Sequence, residues 1–261
     1  MPLTLNQWLK DHHYAPINLQ PVLEAMYEFP PENVLSRESP HYDQKYRELS
    51  KEYQPGEGRL FLCAMHAVID SKEGAILRSK TSFWSNHPEN RVFLYMAVKA
   101  AIFELAHIGN CGSRVAYSAF QLFELLKSAN IEIEFYFFEK RNQTILYLKD
   151  KASGERVVYD PLTNPNLIFT ESEYQNILEY FPEKDEVHLG DAHLVVTKAN
   201  YDAFSKKWRL EIQESFLQAI DRSLSLYPHL EKKESLLDKI KQLAENNSLM
   251  FNPVLREAYR R

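Results

Sequence analysis

Glycine is scarce in this chain, with seven among 261 residues. None of them forms the Gly-rich loop that cradles a phosphate, so a nucleotide-binding turn of that kind is not expected. Cysteine is scarcer still. Cys63 and Cys111 are the full set, too few for a disulfide framework, and such a content suits a reducing compartment. No apolar run reaches the length of a membrane span. There is no strongly basic block, and the formal net charge is −5. Nonspecific binding of nucleic acid by a broad cationic face is therefore not favoured, and no nucleic-acid partner is expected. The nine histidines do not cluster at metal-ligand spacing, and His12-His13 stands apart from any cysteine or carboxylate motif. No metal and no cofactor are expected. Residues Met1 to Lys10 lack a charged segment followed by an apolar stretch. No secretory signal peptide is expected, and a cytosolic protein, or one exported by another route, fits that reading.

What the chain does contain is enough apolar material, 44% of residues, for one well-buried core with helical additions. Three regions follow from pattern: a helical N-terminal region (1–89), a central core (90–199) and a helical C-terminal region (200–261), expected to form one compact unit. Helices are expected over Thr4 to His12, Leu19 to Tyr27, Tyr42 to Tyr53 and Arg59 to Asp70. Asn90 to Ala106 is a stronger one, rich in good helix formers. From Asn130 the period shifts from about 3.6 to 2. Ile131, Ile133, Phe135 and Phe137 alternate with Glu132, Glu134, Tyr136 and Phe138, which predicts a strand with Glu132 and Glu134 on one side, toward solvent or bordering a cleft. Thr144 to Leu148 and Arg156 to Tyr159 are the next strands, joined by a hairpin loop around Ser153-Gly154. Thr170 and Glu173 form a capping-box pattern ahead of a helix from Glu171 to Tyr180. Val187 to Thr197 holds a fourth strand, and Tyr201 to Leu226, Glu234 to Glu245 and Pro253 to Tyr259 read as helices. The fold class is α+β, an antiparallel sheet packed against helices.

Two of the seven glycines bracket one cysteine, in Gly109-Asn110-Cys111-Gly112. A helix is predicted right after them, from Ser113 to Lys127, with Val115, Ala116, Ala119, Leu122, Phe123 and Leu126 on one apolar face. Cys111 then falls in the first helical turn. Free backbone N–H groups and the helix dipole favour negative charge there, which lowers a thiol pKa. A plain buried cysteine needs neither flanking glycines nor the polar Asn110. Asn110 suits either a helix cap or an oxyanion contact. Downstream, Val157-Val158-Tyr159-Asp160-Pro161 closes a strand on an acid, although Asp-Pro is also an ordinary turn starter.

The segment from Gly109 to Pro161, about a fifth of the chain, resembles the core of the papain-like and transglutaminase-like cysteine enzymes. That superfamily includes many bacterial effector proteases, deamidases and transglutaminases. The resemblance implies Cys111 as nucleophile, the backbone around Cys111 and Gly112 as oxyanion donors together with Asn110, and Asp160 as the residue that orients a histidine. The implied substrate is a protein or peptide amide, and the implied setting includes a host cytosol reached by a bacterial effector.

This sequence departs from the pattern at one position. Gln143 stands in the slot where the family places histidine. Glutamine cannot shuttle a proton in the working range, and losing a general base costs about a hundredfold to ten-thousandfold in rate. No histidine occurs between Ile108 and Val187. Three explanations compete: a natural pseudoenzyme, a replaced histidine, or a histidine supplied from elsewhere, for which His193 is the best candidate. The functional expectation is a thiol-dependent amide-processing protein of protease, deamidase or transglutaminase type. The alternative is a pseudoenzyme that binds a partner protein through its cleft and helical surfaces, or a scaffold in which Cys111 is incidental.

Overall fold

The computed structural model describes residues 2–28, 90–106, 111–138, 143–178 and 193–225. The helices expected over Tyr42 to Tyr53, Arg59 to Asp70, Glu234 to Glu245 and Pro253 to Tyr259 lie outside them, as do Gly109, Asn110 and Cys63. The described residues form a mixed α+β fold of helices and antiparallel sheet.

The N-terminal segment begins with β1 (Leu3–Thr4) and α1 (Leu5–Asp11). Thr4 caps α1 by accepting the Gln7 amide at 3.2 Å, satisfying one of the free donors of the first turn. The helix buries Leu5, Trp8 and Leu9. Side chains then tie the segment to the rest of the chain. The Trp8 indole donates to Glu155 at 2.9 Å, and the Tyr14 hydroxyl donates to Asp150 at 2.7 Å. His12, read from sequence as isolated from carboxylates, sits 3.2 Å from Glu155. After α2 (Gln20–Glu28), the Arg114 guanidinium donates to the Met26 carbonyl at 2.6 Å.

Two long helices form the middle of the core, α3 (Asn90–Ala106) and α4 (Cys111–Leu125). Helix α3 is buried around nearly its whole circumference from Phe93 to Leu105, the mark of a helix covered on all sides. It packs along α4, with Phe103 and Tyr117 rings 5.3 Å apart. Helix α4 packs in turn on the sheet.

The main sheet has the order β4-β3-β2-β6, every neighbour antiparallel. Its strands are β2 (Ile131–Phe138), β3 (Gln143–Asp150), β4 (Arg156–Tyr159) and β6 (His193–Val195). Phe135 pairs with Leu146 and Ile133 with Leu148. The Phe93 ring lies 6.1 Å from Phe135 and 5.5 Å from Phe120. The row of odd-numbered β2 residues and even-numbered β3 residues thus faces the helices. Glu134 is buried rather than in solvent. The cause is position: β2 is an interior strand, flanked by Tyr147 on one side and Val195 on the other.

Asp150 closes the β3–β4 hairpin by accepting the amides of Ala152 and Ser153 at 3.2 and 2.9 Å, and Gly154 takes the left-handed φ of 78°. A second, two-stranded sheet pairs β1 with β5 (Leu167–Ile168). Helix α5 (Glu171–Leu178) carries the expected capping box. Thr170 Oγ1 accepts the Glu173 amide, and Glu173 accepts the Thr170 amide, at 3.2 and 3.0 Å.

The single helix expected over Tyr201 to Leu226 is two, α6 (Lys198–Ala203) and α7 (Lys206–Ser225). Ser205 makes the break. Its hydroxyl accepts the Trp208 amide at 3.3 Å and caps a new helix. Phe204, between the two, stacks on Phe120 at 3.9 Å. Among the described residues, no helix is long and apolar enough to cross a membrane.

Candidate functional site

Cys111 is the first residue of α4, half-buried, with Gly112 and Ser113 fully enclosed behind it. Its surroundings are set by a mismatch in strand length. The last pair between β3 and β4 is Leu146 with Tyr159. Beyond it β4 ends and the chain turns at Asp160, while β3 continues for three more residues, back to Gln143. The Asp150 amide bonds the β4-side carbonyl of Glu155 at 2.9 Å, so by alternation the amides of Leu148, Leu146 and Thr144 also point toward β4. At Thr144 no β4 residue remains to accept. The Cys111 sulfur takes that place and is the acceptor for the Thr144 amide, with the Gly112 amide as a second donor.

Burial raises the thiol pKa above its ordinary value and is the largest single influence on it. The Thr144 amide, the charge of Lys99 and the Gly112 amide each favour the thiolate, in that order, and the Asp160 carboxylate opposes it. The lowered pKa expected from a helix start is therefore not what this thiol has. The donors are present, but desolvation of the anion together with the Asp160 charge outweighs them.

Asp160 lies near Cys111 in the fold, as the sequence reading required, but its carboxylate is occupied. The group is fully buried. It accepts the Leu162 amide at 3.0 Å on one oxygen, and the Thr163 and Tyr174 hydroxyls at 2.7 Å each on the other. These bonds hold the Asp-Pro turn and fasten α5 to the end of β4. Burial pushes the Asp160 carboxyl up, and the hydrogen bonds pull it back down. The turn-starter reading of this residue accounts for its bonds to Leu162 and Thr163, and Tyr174 is a contact from outside the turn.

Gln143 pairs with Phe138 at the start of β3. Its register position belongs to the row of Ile145 and Tyr147, whereas its neighbour Thr144 belongs to the row of Leu146 and Leu148 that faces α4. The strand residue that meets Cys111 is thus Thr144, one position along from the residue picked by spacing. His193 begins β6 and pairs with Tyr136, which pairs on its other side with Ile145. The backbone therefore sets His193 two strands away from β3.

Two participants were not singled out from the sequence. Tyr174 lies on α5, fully buried, and its hydroxyl is kept protonated by burial and by Asp160. Lys99 lies on α3, only 6% exposed. Its signal was available in principle, as the one cation within a run of apolar helix residues. Among the described residues, no group of three His, Cys, Asp or Glu side chains could hold a metal. No family model matches the chain, and no curated protein and no solved structure matches it.

Proposed function

We propose that this protein is a thiol-dependent amide-processing protein with a papain-like core, in which Cys111 attacks a protein or peptide amide. The observation that carries the reading is the convergence at one sulfur of three elements: the first turn of α4, the open end of β3 and the turn that closes β4. A thiolate here would attack the amide carbonyl to give a thioester, the C–N bond breaking and the amine or ammonia leaving with the proton that the thiol gave up. Water would release it by hydrolysis, or an amine by transfer. The Gly112 and Thr144 amides already favour negative charge at the sulfur, and preorganised backbone donors of this kind stabilise anions without reorganisation.

A second reading has its own support. The raised thiol and the fully engaged Asp160 carboxylate favour a site that holds a peptide without cleaving it. One experiment separates the two. Peptide amides are incubated with the wild-type chain, with Cys111→Ser and with Thr144→His or Gln143→His, and thioester formation is followed by mass spectrometry. A thioester on Cys111 in the wild type, absent in Cys111→Ser, supports the enzyme. Peptide binding without a thioester in any variant supports the binding module.

A further inference from the structure

We propose that α1 is a pH-sensitive strap across β4, held in place by a doubly protonated His12 that clasps Glu155. The inference is independent of the thiol site.

The strap is fastened at both ends of β4. At one end the Leu5 amide donates to the Asn166 carbonyl at 3.1 Å, in the loop that follows Asp160, and β1 pairs with β5. At the other end the β3–β4 hairpin presents Glu155, and α1 occupies both oxygens of its carboxylate. Oε1 accepts the Trp8 indole N–H at 2.9 Å, and Oε2 lies 3.2 Å from His12 Nε2. The other ring nitrogen, Nδ1, lies 2.9 Å from the Trp8 carbonyl oxygen. Each ring nitrogen thus faces an acceptor, a carboxylate on one side and a carbonyl on the other. A neutral imidazole has one N–H and can serve one of them, whereas the imidazolium has two and serves both.

The chain around His12 is arranged to hold the cation. Helix α1 ends in a Schellman turn. The His13 amide bonds the Lys10 carbonyl at 3.0 Å and the Tyr14 amide bonds the Leu9 carbonyl at 2.8 Å, with His13 at the left-handed φ of 61°. The last turn of a helix favours positive charge. The His12 ring centroid is 4.7 Å from that of Trp8, inside the cation–π range of about 6 Å. The His12 side chain is 14% exposed, so little water reaches a nitrogen that loses its partner. The other charged and titratable groups of α1 and the hairpin are engaged or exposed. Asp11 accepts Gln7 Nε2 at 2.7 Å, Tyr14 donates to Asp150 at 2.7 Å, and Lys151 and Arg156 pair with Glu132 and Glu171. Lys10 and His13 are exposed. Among the described residues, Glu155 is the charged group within ion-pair reach of the ring. The docked strap holds a proton that a released strap is free to lose. Docking therefore weakens as pH rises through the range where histidine side chains change charge, pH 5 to 8.

The test is hydrogen–deuterium exchange of the α1 amides between pH 5.5 and 8.5, in the wild type, His12→Gln and Glu155→Gln. It is read as protection factors, which remove the intrinsic pH dependence of exchange. Wild-type protection of α1 is expected to fall about threefold to tenfold across that range. His12→Gln removes the titrating ring and Glu155→Gln removes the charge it clasps, so both profiles are expected to flatten. Wild-type protection that stays constant or rises with pH overturns the inference. So does an equal fall in His12→Gln, which would trace the effect to another of the nine histidines. Should the variants fail to fold, the wild type decides by nitrogen-15 NMR. The Trp8 indole N–H resonance is expected to move in step with the His12 ring nitrogens, because both hold one carboxylate. An indole signal indifferent to the charge on that ring overturns the clasp.

Discussion

The Tyr174 hydroxyl donates to Oδ2 of Asp160 at 2.7 Å, and with that bond the acid at the end of β4 becomes a structural fastener. Thr163 shares the same oxygen and the Leu162 amide takes the other. Asp160→Ala would leave two hydroxyls and an amide without an acceptor. It is expected to lose roughly 3 kcal/mol or more of stability. Asp160→Asn keeps one acceptor oxygen and is expected to lose less. Because the carboxylate opposes the thiolate, Asp160→Asn should also speed Cys111 alkylation at neutral pH. Slower alkylation would mean that Asp160 activates the thiol after all.

Asp150 provides the pH dependence. Its carboxyl is held well below the usual carboxylate range, first by Ser153 and then by the Tyr14 hydroxyl. In the unfolded chain an aspartate titrates near about 3.9. Between the two values the folded chain binds fewer protons than the unfolded one, so stability rises with pH there. The contribution is complete above about pH 5 and disappears as pH falls through the lowered folded value. The melting temperature of Asp150→Asn is expected to lie below that of the wild type at neutral pH. The gap should close in acid, and parallel acid limbs for the two proteins would refute this.

Gly154 adopts φ 78°, and a Cβ built there meets no atom within 4 Å. The cost of Gly154→Ala is therefore backbone strain alone, about 1 kcal/mol. Asparagine tolerates the left-handed region better, so Gly154→Asn should cost less. Thermal melts that rank alanine above asparagine would contradict this account.

The Ser118 hydroxyl is buried in α4 with no hydrogen-bond partner among the described residues. Removing an unsatisfied buried hydroxyl is neutral or favourable. Ser118→Ala is expected to raise stability by about 1 kcal/mol, aided by the better helix propensity of alanine. A drop in the denaturation midpoint would show that the hydroxyl has a role.

Much of this architecture is written locally. The boundaries of α3 agree with the sequence reading because good helix formers fill it without interruption. The strands from Ile131 to Tyr159 follow from period-two alternation and from Ser153-Gly154 between them. The capping box at Thr170 and Glu173 is equally local. What escaped reading depends on contacts distant in sequence. The break at Ser205 needs Phe204 to seat on Phe120. The burial of Glu134 needs β6 to add beside β2. At the site, the meeting of Cys111 with the strand end was legible, but Thr144 in preference to Gln143 depends on the register of β3. Lys99 was hidden in a helix with mixed faces, and its meaning appears only when α4 lies against it. Tyr174 is far from any motif and reaches Asp160 through the packing of α5.

The overhang of β3 past the end of β4 has a further implication. The Thr144 donor to Cys111 belongs to the main chain, so exchanging side chains along that strand leaves it in place, and only proline abolishes the N–H itself. An imidazole can be lost from such a centre by one codon change, whereas this amide persists through nearly any drift. A donor directed at the sulfur therefore persists whatever side chains this strand carries.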